Sequence, residues 1–144
     1  MTQLDALTLF REGKVRSIYD FDKYLLLVTS DRVSAFDAVL PQEIPGKGKV
    51  LTELAAFWFN YLDFPNHLVS TTDFPDASLA GHQAALAGRS MWVKKAKRID
   101  IECIVRGYLA GSGWSSYQKT GQVQGHVLPP GLQLGSQLPE PIFT

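Results

Sequence analysis

Cysteine is almost absent from this sequence, since Cys103 is the only one among 144 residues. One cysteine can form neither an internal disulfide nor a zinc cluster, so a reducing compartment is expected. Long apolar runs are absent too, and residues 1–9 lack the basic and apolar pattern of a secretory signal. The sequence therefore predicts a cytoplasmic protein with no membrane partner.

An excess of one charge is also missing, because 14 Lys and Arg residues balance 14 Asp and Glu residues. A nucleic-acid-binding domain normally carries a clear basic excess. The basic run at residues 94–98, with Trp92 nearby, is better interpreted as the solvated face of a strand, since no nucleic-acid-binding motif accompanies it. We therefore expect no nucleic acid partner.

Several well-known catalytic motifs do not occur. The P-loop pattern G-x-x-x-x-G-K-[ST] is absent, and so is the G-x-S-x-G pattern of serine hydrolases. The three histidines, His67, His82 and His126, lie far apart without the spacing of a zinc site. Zinc chemistry and hydrolysis by a serine nucleophile are therefore not supported.

The composition that remains is that of a globular protein, with 45% hydrophobic and 19% charged residues. Two short strands are predicted over residues 9–20 and a central strand over residues 24–29. Apolar residues recur at helical spacing over residues 49–62. Residues 91–97 and 101–105 are interpreted as paired strands. Strands outnumber helices and cluster early, which favours an α+β fold with a largely antiparallel sheet.

The segment from Ile101 to Trp114 carries the strongest chemical signal. It combines one acid, Glu102, with Arg106 and a glycine-spaced turn that contains Ser112. A guanidinium makes two parallel charge-assisted bonds to phosphate, and a helix N-terminus also attracts anions. An alternative that the local pattern supports equally is a buried strand with a Glu102–Arg106 ion pair.

The surroundings of that segment give two further expectations. Ser112 is a suitable N-cap for a helix over residues 113–120, which Gly121 could end. Cys103 lies within an apolar run, so we expect it to be a small core residue.

A glycine turn with two cations occupies residues 13–16. Gly13 would let the backbone approach an anion, and Lys14 and Arg16, which flank Val15, would supply positive charge to nucleotide phosphates. Taken alone, the pattern is better explained as a hairpin with solvated cations.

Two polar loops complete the candidate positions. Residues 30–37 follow the central strand and contain Ser34 and Asp37, which suits either the rim of a ligand site or an Asx turn with a local Asp–Arg pair. Residues 44–49 precede the best helix and could bring Lys47 and backbone N–H groups to an anionic substrate. A plain linker explains the second loop equally well.

The order of these segments is more specific than any one of them. Residues 13–16, 30–37, 44–48, 102–114 and 138–144 together resemble the SAICAR synthetase (phosphoribosylaminoimidazole-succinocarboxamide synthase) family, and the resemblance covers nearly the whole chain. It implies purine biosynthesis, in which L-aspartate is joined to the carboxylate of carboxyaminoimidazole ribonucleotide with ATP and Mg²⁺. An acyl phosphate intermediate is expected, because a carboxylate lacks a good leaving group.

The resemblance also implies roles for individual residues. Gly13, Lys14, Val15 and Arg16 match the ATP-phosphate loop of the family. Ser34 and Asp37 match the segment that lines the ribonucleotide site. Arg106 and Ser112 match the pair that binds the phosphate of the ribonucleotide. Glu102 matches an acid near the substrate carboxylate and the metal. Asp37 and Glu102 are the implied catalytic residues, and Lys47 belongs to a family motif as a substrate-binding candidate.

The implied architecture has two lobes with an ATP cleft between them. Residues 1–90 would form the sheet lobe, and residues 91–144 would hold a strand pair and the start of a second α/β lobe. The chain ends at Thr144, inside a motif that the family continues, so it is expected to be an N-terminal portion whose uncovered apolar surface favours association. Homo-oligomer formation stays open. The alternative function is a truncated, non-catalytic nucleotide-binding module.

Overall fold

The computed structural model describes residue 4, residues 7–36 and residues 38–144. The chain divides into two compact units, Met1–Lys97 and Arg98–Thr144. Within the described part, no helix is both long and apolar enough to cross a membrane. Antiparallel strands and helices together confirm the predicted α+β class, while the ATP cleft between lobes stays a prediction.

The first unit is built on a five-stranded antiparallel sheet. Its elements in chain order are β1 (Leu9–Glu12), β2 (Arg16–Phe21), β3 (Tyr24–Thr29), β4 (Ser34–Ala35), β5 (Ala38–Val39), α1 (Lys47–Tyr61), β6 (Leu68–Ser70), a 3-10 helix (Ala77–His82), α2 (Gln83–Leu86) and β7 (Ser90–Lys94). The strand order in the sheet is β1-β2-β3-β7-β6, and β4 pairs separately with β5.

The central position of β3 follows from its sequence, because a continuous apolar run suits a strand that is covered on both faces. Leu26 is fully buried and lies opposite Tyr19 of β2 and Trp92 of β7. Phe74 and Leu79, from the segment before β7, join Leu26 and Trp92 in one core cluster. This strand, predicted over residues 24–29, is confirmed.

The predicted helix over residues 49–62 is confirmed as α1, which begins two residues earlier, at Lys47. The buried residues of this helix are small ones. Gly48 and Thr52 are buried, and the Thr52 hydroxyl donates to Thr29 Oγ1 at 3.5 Å. Most of the larger apolar side chains of the helix are exposed by between 38% and 68% of their surface, and Phe59 is half-buried. These exposed residues are Val50, Leu51, Leu54, Phe57, Trp58 and Tyr61.

The predicted pairing of residues 91–97 with residues 101–105 is wrong. Strand β7 lies between β3 and β6 in the sheet of the first unit. Its residues 90–93 are all buried, and because successive side chains of a strand point to opposite faces, both faces of β7 are covered there. Because β7 belongs to that sheet, the first unit extends to Lys97 rather than ending at residue 90.

The second unit is smaller and has its own core. Its elements are β8 (Val105–Tyr108), α3 (Gly111–Thr120), β9 (Gln122–Val123), β10 (His126–Val127) and β11 (Gln137–Phe143). Leu109, Val123, Leu128 and Leu138 form the buried cluster. Residues 101–104 lie in no strand, and Cys103 is exposed. The prediction that this cysteine is a core residue is therefore wrong.

Strand β11 runs through a segment with two prolines, which sequence patterns assign to a loop. It pairs with β8 through Gln137 opposite Tyr108 and Ile142 opposite Arg106, and the register shifts between these two pairs. Pro139 falls within the irregular stretch, where its missing N–H removes no regular ladder bond. The irregularity therefore allows a proline-containing segment to close the small sheet.

Candidate functional site

Arg106 lies at the centre of the candidate anion site in the second unit. Its backbone is paired in β8 opposite Ile142, which fixes where the side chain begins. The Nε atom donates to Thr144 Oγ1 at 3.2 Å, and Nη2 donates to Ser112 Oγ at 3.2 Å. The guanidinium is therefore held from two sides.

Thr144 is itself fixed by three bonds to Ile104. The two backbones exchange N–H···O bonds of 2.8 Å in both directions, and the Thr144 hydroxyl donates to the Ile104 carbonyl at 3.2 Å. The hydroxyl oxygen can then accept from Arg106. This partner was not found from the sequence, because it lies 38 residues from Arg106.

Ser112 is not the N-cap of α3, which corrects the prediction. The helix begins at Gly111, and its N-cap is Ala110 in an extended conformation. Ser112 lies in the first turn, where its hydroxyl accepts from Arg106 instead of capping a backbone N–H. Gly121 does end the helix as predicted, with φ of 69°.

The first turn of α3 and the Arg106 side chain lie side by side. Gly113 is buried, and a Cβ atom placed on it would stand 3.4 Å from Arg106 Nη1. The N–H groups of the first helical turn lack partners within the helix and carry the positive end of its dipole. A guanidinium beside such a turn, with a serine hydroxyl, is an arrangement that fits a phosphate monoester.

Glu102 lies in the same unit but outside its regular structure. The residue is exposed, on the segment that precedes β8. Among the described residues, no group of three or more His, Cys, Asp or Glu side chains could hold a metal ion. A single carboxylate suits Mg²⁺ only where nucleotide phosphates and water supply the other oxygens. The described residues therefore do not make a magnesium site by themselves.

The glycine turn lies in the first unit, between β1 and β2. The Gly13 N–H donates to the Arg16 carbonyl at 2.7 Å, which closes the turn. Lys14 and Arg16 are exposed, whereas Val15 is half-buried. The predicted hairpin is confirmed, and the nucleotide contact stays a prediction.

The other predicted site residues of the first unit are Ser34, Lys47 and Asp37. Ser34 is half-buried in β4, where it pairs with Val39. Lys47 is the first residue of α1 and is half-buried. Asp37 lies outside the residues that the structure describes.

Asp31 is a structural residue whose long-range partners sequence reasoning missed. Its Oδ1 accepts from the Gly48 N–H at 2.8 Å, and its Oδ2 accepts from the Gly46 N–H at 3.2 Å. The same Oδ2 forms a 3.1 Å ion pair with Arg89, 58 residues away. The alternative of a local pair between Asp31 and Arg32 is therefore wrong, and these two N–H groups serve Asp31 rather than an external anion.

Stability should depend on the ionisation of Asp31. The N–H of Gly48, followed by Gly46 and Arg89, holds the pKa of this carboxyl below its ordinary value of 3.8, although partial burial opposes the shift. A lowered folded-state pKa stabilises the protein above 3.8, and that contribution is lost as the pH falls through the lower folded value. We expect the free energy of unfolding of Asp31→Asn, measured by chemical denaturation, to fall less steeply between neutral and acidic pH than that of the parent chain.

Glu140→Gln is the matched control for that series, because Glu140 is an exposed carboxylate in the other unit. This variant should lose stability towards acidic pH as steeply as the parent chain does. An Asp31→Asn variant whose stability falls with acid as steeply as the parent would contradict the assignment to Asp31.

Comparisons with known proteins agree with the arrangement of these segments. The family model for SAICAR synthetase matches residues 9–144. Phosphoribosylaminoimidazole-succinocarboxamide synthase of Thermodesulfovibrio yellowstonii is 54% identical over 147 aligned positions, which cover 99% of this chain and 50% of the relative. The enzyme of the same name from Syntrophobacter fumaroxidans is 52% identical, with 99% and 48% covered.

Solved structures give the same result for the fold. The SAICAR synthase of Saccharomyces cerevisiae, complexed with SAICAR, is 44% identical with a TM-score of 0.86, and the match covers 96% of this chain and 50% of that one. A type-2 SAICAR synthetase in complex with ADP has a TM-score of 0.66 at 24% identity, over 92% and 47% of the two chains, which supports the fold alone.

The chain spans about half the length of the curated relatives that it matches. Within that span the match is nearly complete, and it includes both the glycine turn of the first unit and the Arg106 site of the second. The chain belongs to the SAICAR synthetase family.

Proposed function

We propose that this chain contributes the nucleotide and ribonucleotide contacts of a ligase that joins L-aspartate to carboxyaminoimidazole ribonucleotide at the expense of ATP. The observation that carries the proposal is the Arg106 guanidinium, held by Ser112 and Thr144 beside the first turn of α3. This arrangement suits the phosphate of a ribonucleotide. Family membership favours that ligand over another small anion.

The reaction needs activation of a carboxylate. Transfer of the γ-phosphoryl group from ATP to the carboxylate oxygen would form an acyl phosphate and ADP. The aspartate amine would then attack the acyl carbon, form the amide and displace inorganic phosphate, with the amine losing its proton. Positioning of the reactants and neutralisation of phosphate charge supply most of the catalysis in such transfers.

The proposed roles follow the two units. In the second, Arg106 and Ser112 bind the ribonucleotide phosphate, and Glu102 lies near its carboxylate. In the first, Lys14 and Arg16 contact the phosphates of ATP.

Three further residues and the metal have supporting roles in this proposal. Ser34 and Asp37 line the ribonucleotide site, and Lys47 adds a cation at the start of α1. Mg²⁺ bound with ATP would neutralise phosphate charge, and Glu102 could supply one of its oxygen ligands.

The test is release of ADP by the purified chain with MgATP, carboxyaminoimidazole ribonucleotide and aspartate, each omitted in turn. Release that requires all three substrates supports the ligase. If a folded sample binds nucleotide but releases no ADP, the chain acts as a non-catalytic nucleotide-binding module. Absence of both binding and release contradicts the proposal.

Lys14→Ala should weaken ATP binding and leave ribonucleotide binding unchanged. Loss of one charge-assisted contact to a phosphate is expected to cost about 1–2 kcal/mol. Calorimetric titration with a non-hydrolysable ATP analogue and with the ribonucleotide measures both affinities. Lys23→Ala, in the exposed turn between β2 and β3, is the matched control. Equal losses for the two ligands would indicate misfolding instead of a nucleotide contact.

A further inference from the structure

The side chain of Arg32 reaches from the end of the central strand to the glycine turn. Its Nη2 donates to the Gly13 carbonyl at 3.3 Å, and its Nε donates to Ser30 Oγ at 3.2 Å. The guanidinium is thus anchored at one end on the β3–β4 connection and at the other on the β1–β2 turn. No part of the sequence pattern indicates this contact, because Arg32 and Gly13 lie 19 residues apart.

Ser30 holds the other side of the same turn. Its N–H and its hydroxyl both donate to the Val15 carbonyl at 3.0 Å, and the residue is only 8% exposed. The bonded carbonyls of Gly13 and Val15 are those immediately before and after Lys14. Arg32 and Ser30 therefore fix the backbone on both sides of the lysine proposed to contact ATP.

The contacts of Arg32 with Glu12 and with Gly13 differ in how much each can hold the turn. Arg32 also approaches Glu12 Oε1 at 3.5 Å, but that carboxylate side chain is 51% exposed, so the pair contributes little. The bond to Gly13 is made by a charged donor whose own side chain is 22% exposed. Bonds from charged donors are stronger than neutral ones. The bond to Gly13 lies at the surface, whereas the bond from the same guanidinium to Ser30 is partly buried.

We propose that Arg32, together with Ser30, is a positioning residue that presets the β1–β2 turn for nucleotide phosphates. This inference rests on the proposed function, because it needs Lys14 to contact ATP. Arg32 acts through the turn, and its guanidinium is committed to Gly13 and Ser30 instead of the ligand. Presetting the turn removes the entropic cost of ordering it when nucleotide binds.

The first test needs no nucleotide. Hydrogen exchange of the Gly13 and Ser30 amides is compared in the parent chain, Arg32→Met and Glu12→Gln. We expect Arg32→Met to speed exchange at both amides by about tenfold, equivalent to about 1.4 kcal/mol of local opening. Amides of the β2–β3 ladder serve as the internal reference. The Glu12→Gln control keeps the Gly13 bond and should leave exchange unchanged.

The second test is a double-mutant cycle with Lys14→Ala, read by calorimetric titration with a non-hydrolysable ATP analogue and Mg²⁺. We expect Arg32→Met to lower the affinity for the analogue by about tenfold in the parent chain. In the Lys14→Ala background the loss should be less than about twofold, since the two changes act on one contact. Arg32→Lys, which keeps the charge but loses the planar fork, should recover only part of the affinity.

The outcomes distinguish the positioning role of Arg32 from the proposed contact of Lys14 with ATP. Equal losses from Arg32→Met in both backgrounds would overturn the positioning role, because they indicate an effect independent of Lys14. Unchanged exchange at Gly13 and Ser30 in Arg32→Met would overturn it as well, whatever the affinities. If Lys14→Ala leaves analogue affinity unchanged, the ATP assignment of the turn fails instead, while the exchange data still decide whether Arg32 holds the turn.

Discussion

Replacing Arg106 with alanine is expected to weaken ribonucleotide binding by about 2–5 kcal/mol, the range for truncating one partner of a buried charged pair. The side chain lies beside the first turn of α3, where Thr144 and Ser112 orient it. Its loss would remove the proposed phosphate contact and leave the hydroxyls of Thr144 and Ser112 without their donor. Calorimetric titration with carboxyaminoimidazole ribonucleotide measures the effect.

Two further variants make that result specific. Arg98→Ala removes another arginine of the same unit, one whose ion pair with Asp100 is highly exposed, and should leave affinity unchanged. Arg106→Lys keeps the charge but cannot bond Ser112 and Thr144 in a planar fork, so it should restore only part of the affinity. Unchanged binding by Arg106→Ala, in a chain that retains its fold, would remove Arg106 from the site.

Gly48→Ala is expected to destabilise the first unit by about 3 kcal/mol, in the upper part of the range for overpacking. A Cβ atom at this position would lie 2.6 Å from the Thr29 carbonyl oxygen and 3.1 Å from Asp31 Oδ1. The nearest atom belongs to the backbone of the central strand, which cannot move aside cheaply. Alanine normally stabilises a helix relative to glycine, so the sign itself is informative. Denaturant unfolding followed by circular dichroism gives the measurement.

Gly81→Ala is the matched control, because Gly81 also lies in a helical segment and a Cβ there would meet nothing within 4 Å. It should be neutral or slightly stabilising. If Gly48→Ala is as stable as Gly81→Ala, the close approach of α1 to β3 is looser than the distances indicate.

Two elements with strong local apolar patterns were predicted well. The strand over residues 24–29 and the helix near residues 49–62 depend on local apolar patterns, and both are present. The partners of strands were not predictable in the same way. Strand β7 was given a neighbour that follows it in sequence, but its two real neighbours, β3 and β6, precede it.

The last strand is not recognisable from its own sequence. A segment with Pro139 and Pro141 has the composition of a loop, yet it forms most of β11. The ladder tolerates these residues because its register shifts between Gln137 and Ile142. Such an irregularity depends on the partner strand, so the sequence of the segment does not reveal it.

The candidate anion site was predictable in part. Arg106 and Ser112 lie six residues apart, and their chemistry suggested a shared ligand before the structure placed them in contact. The residues that hold the site and the loops in place were not predictable. Thr144 and Arg89 reach their partners across 38 and 58 residues, and neither has a local pattern that distinguishes it from any other surface residue.

The bond between Arg106 and Thr144 also has a consequence for the newly made chain. During translation, at about 5–20 residues per second, Thr144 is added about 2–8 s after Arg106, since 38 residues separate them. The arginine is therefore part of the growing chain before its hydroxyl partner exists. Until β11 is synthesised, the nascent polypeptide carries Arg106 without the strand that orients it, so the candidate anion site cannot form before Thr144 has been added.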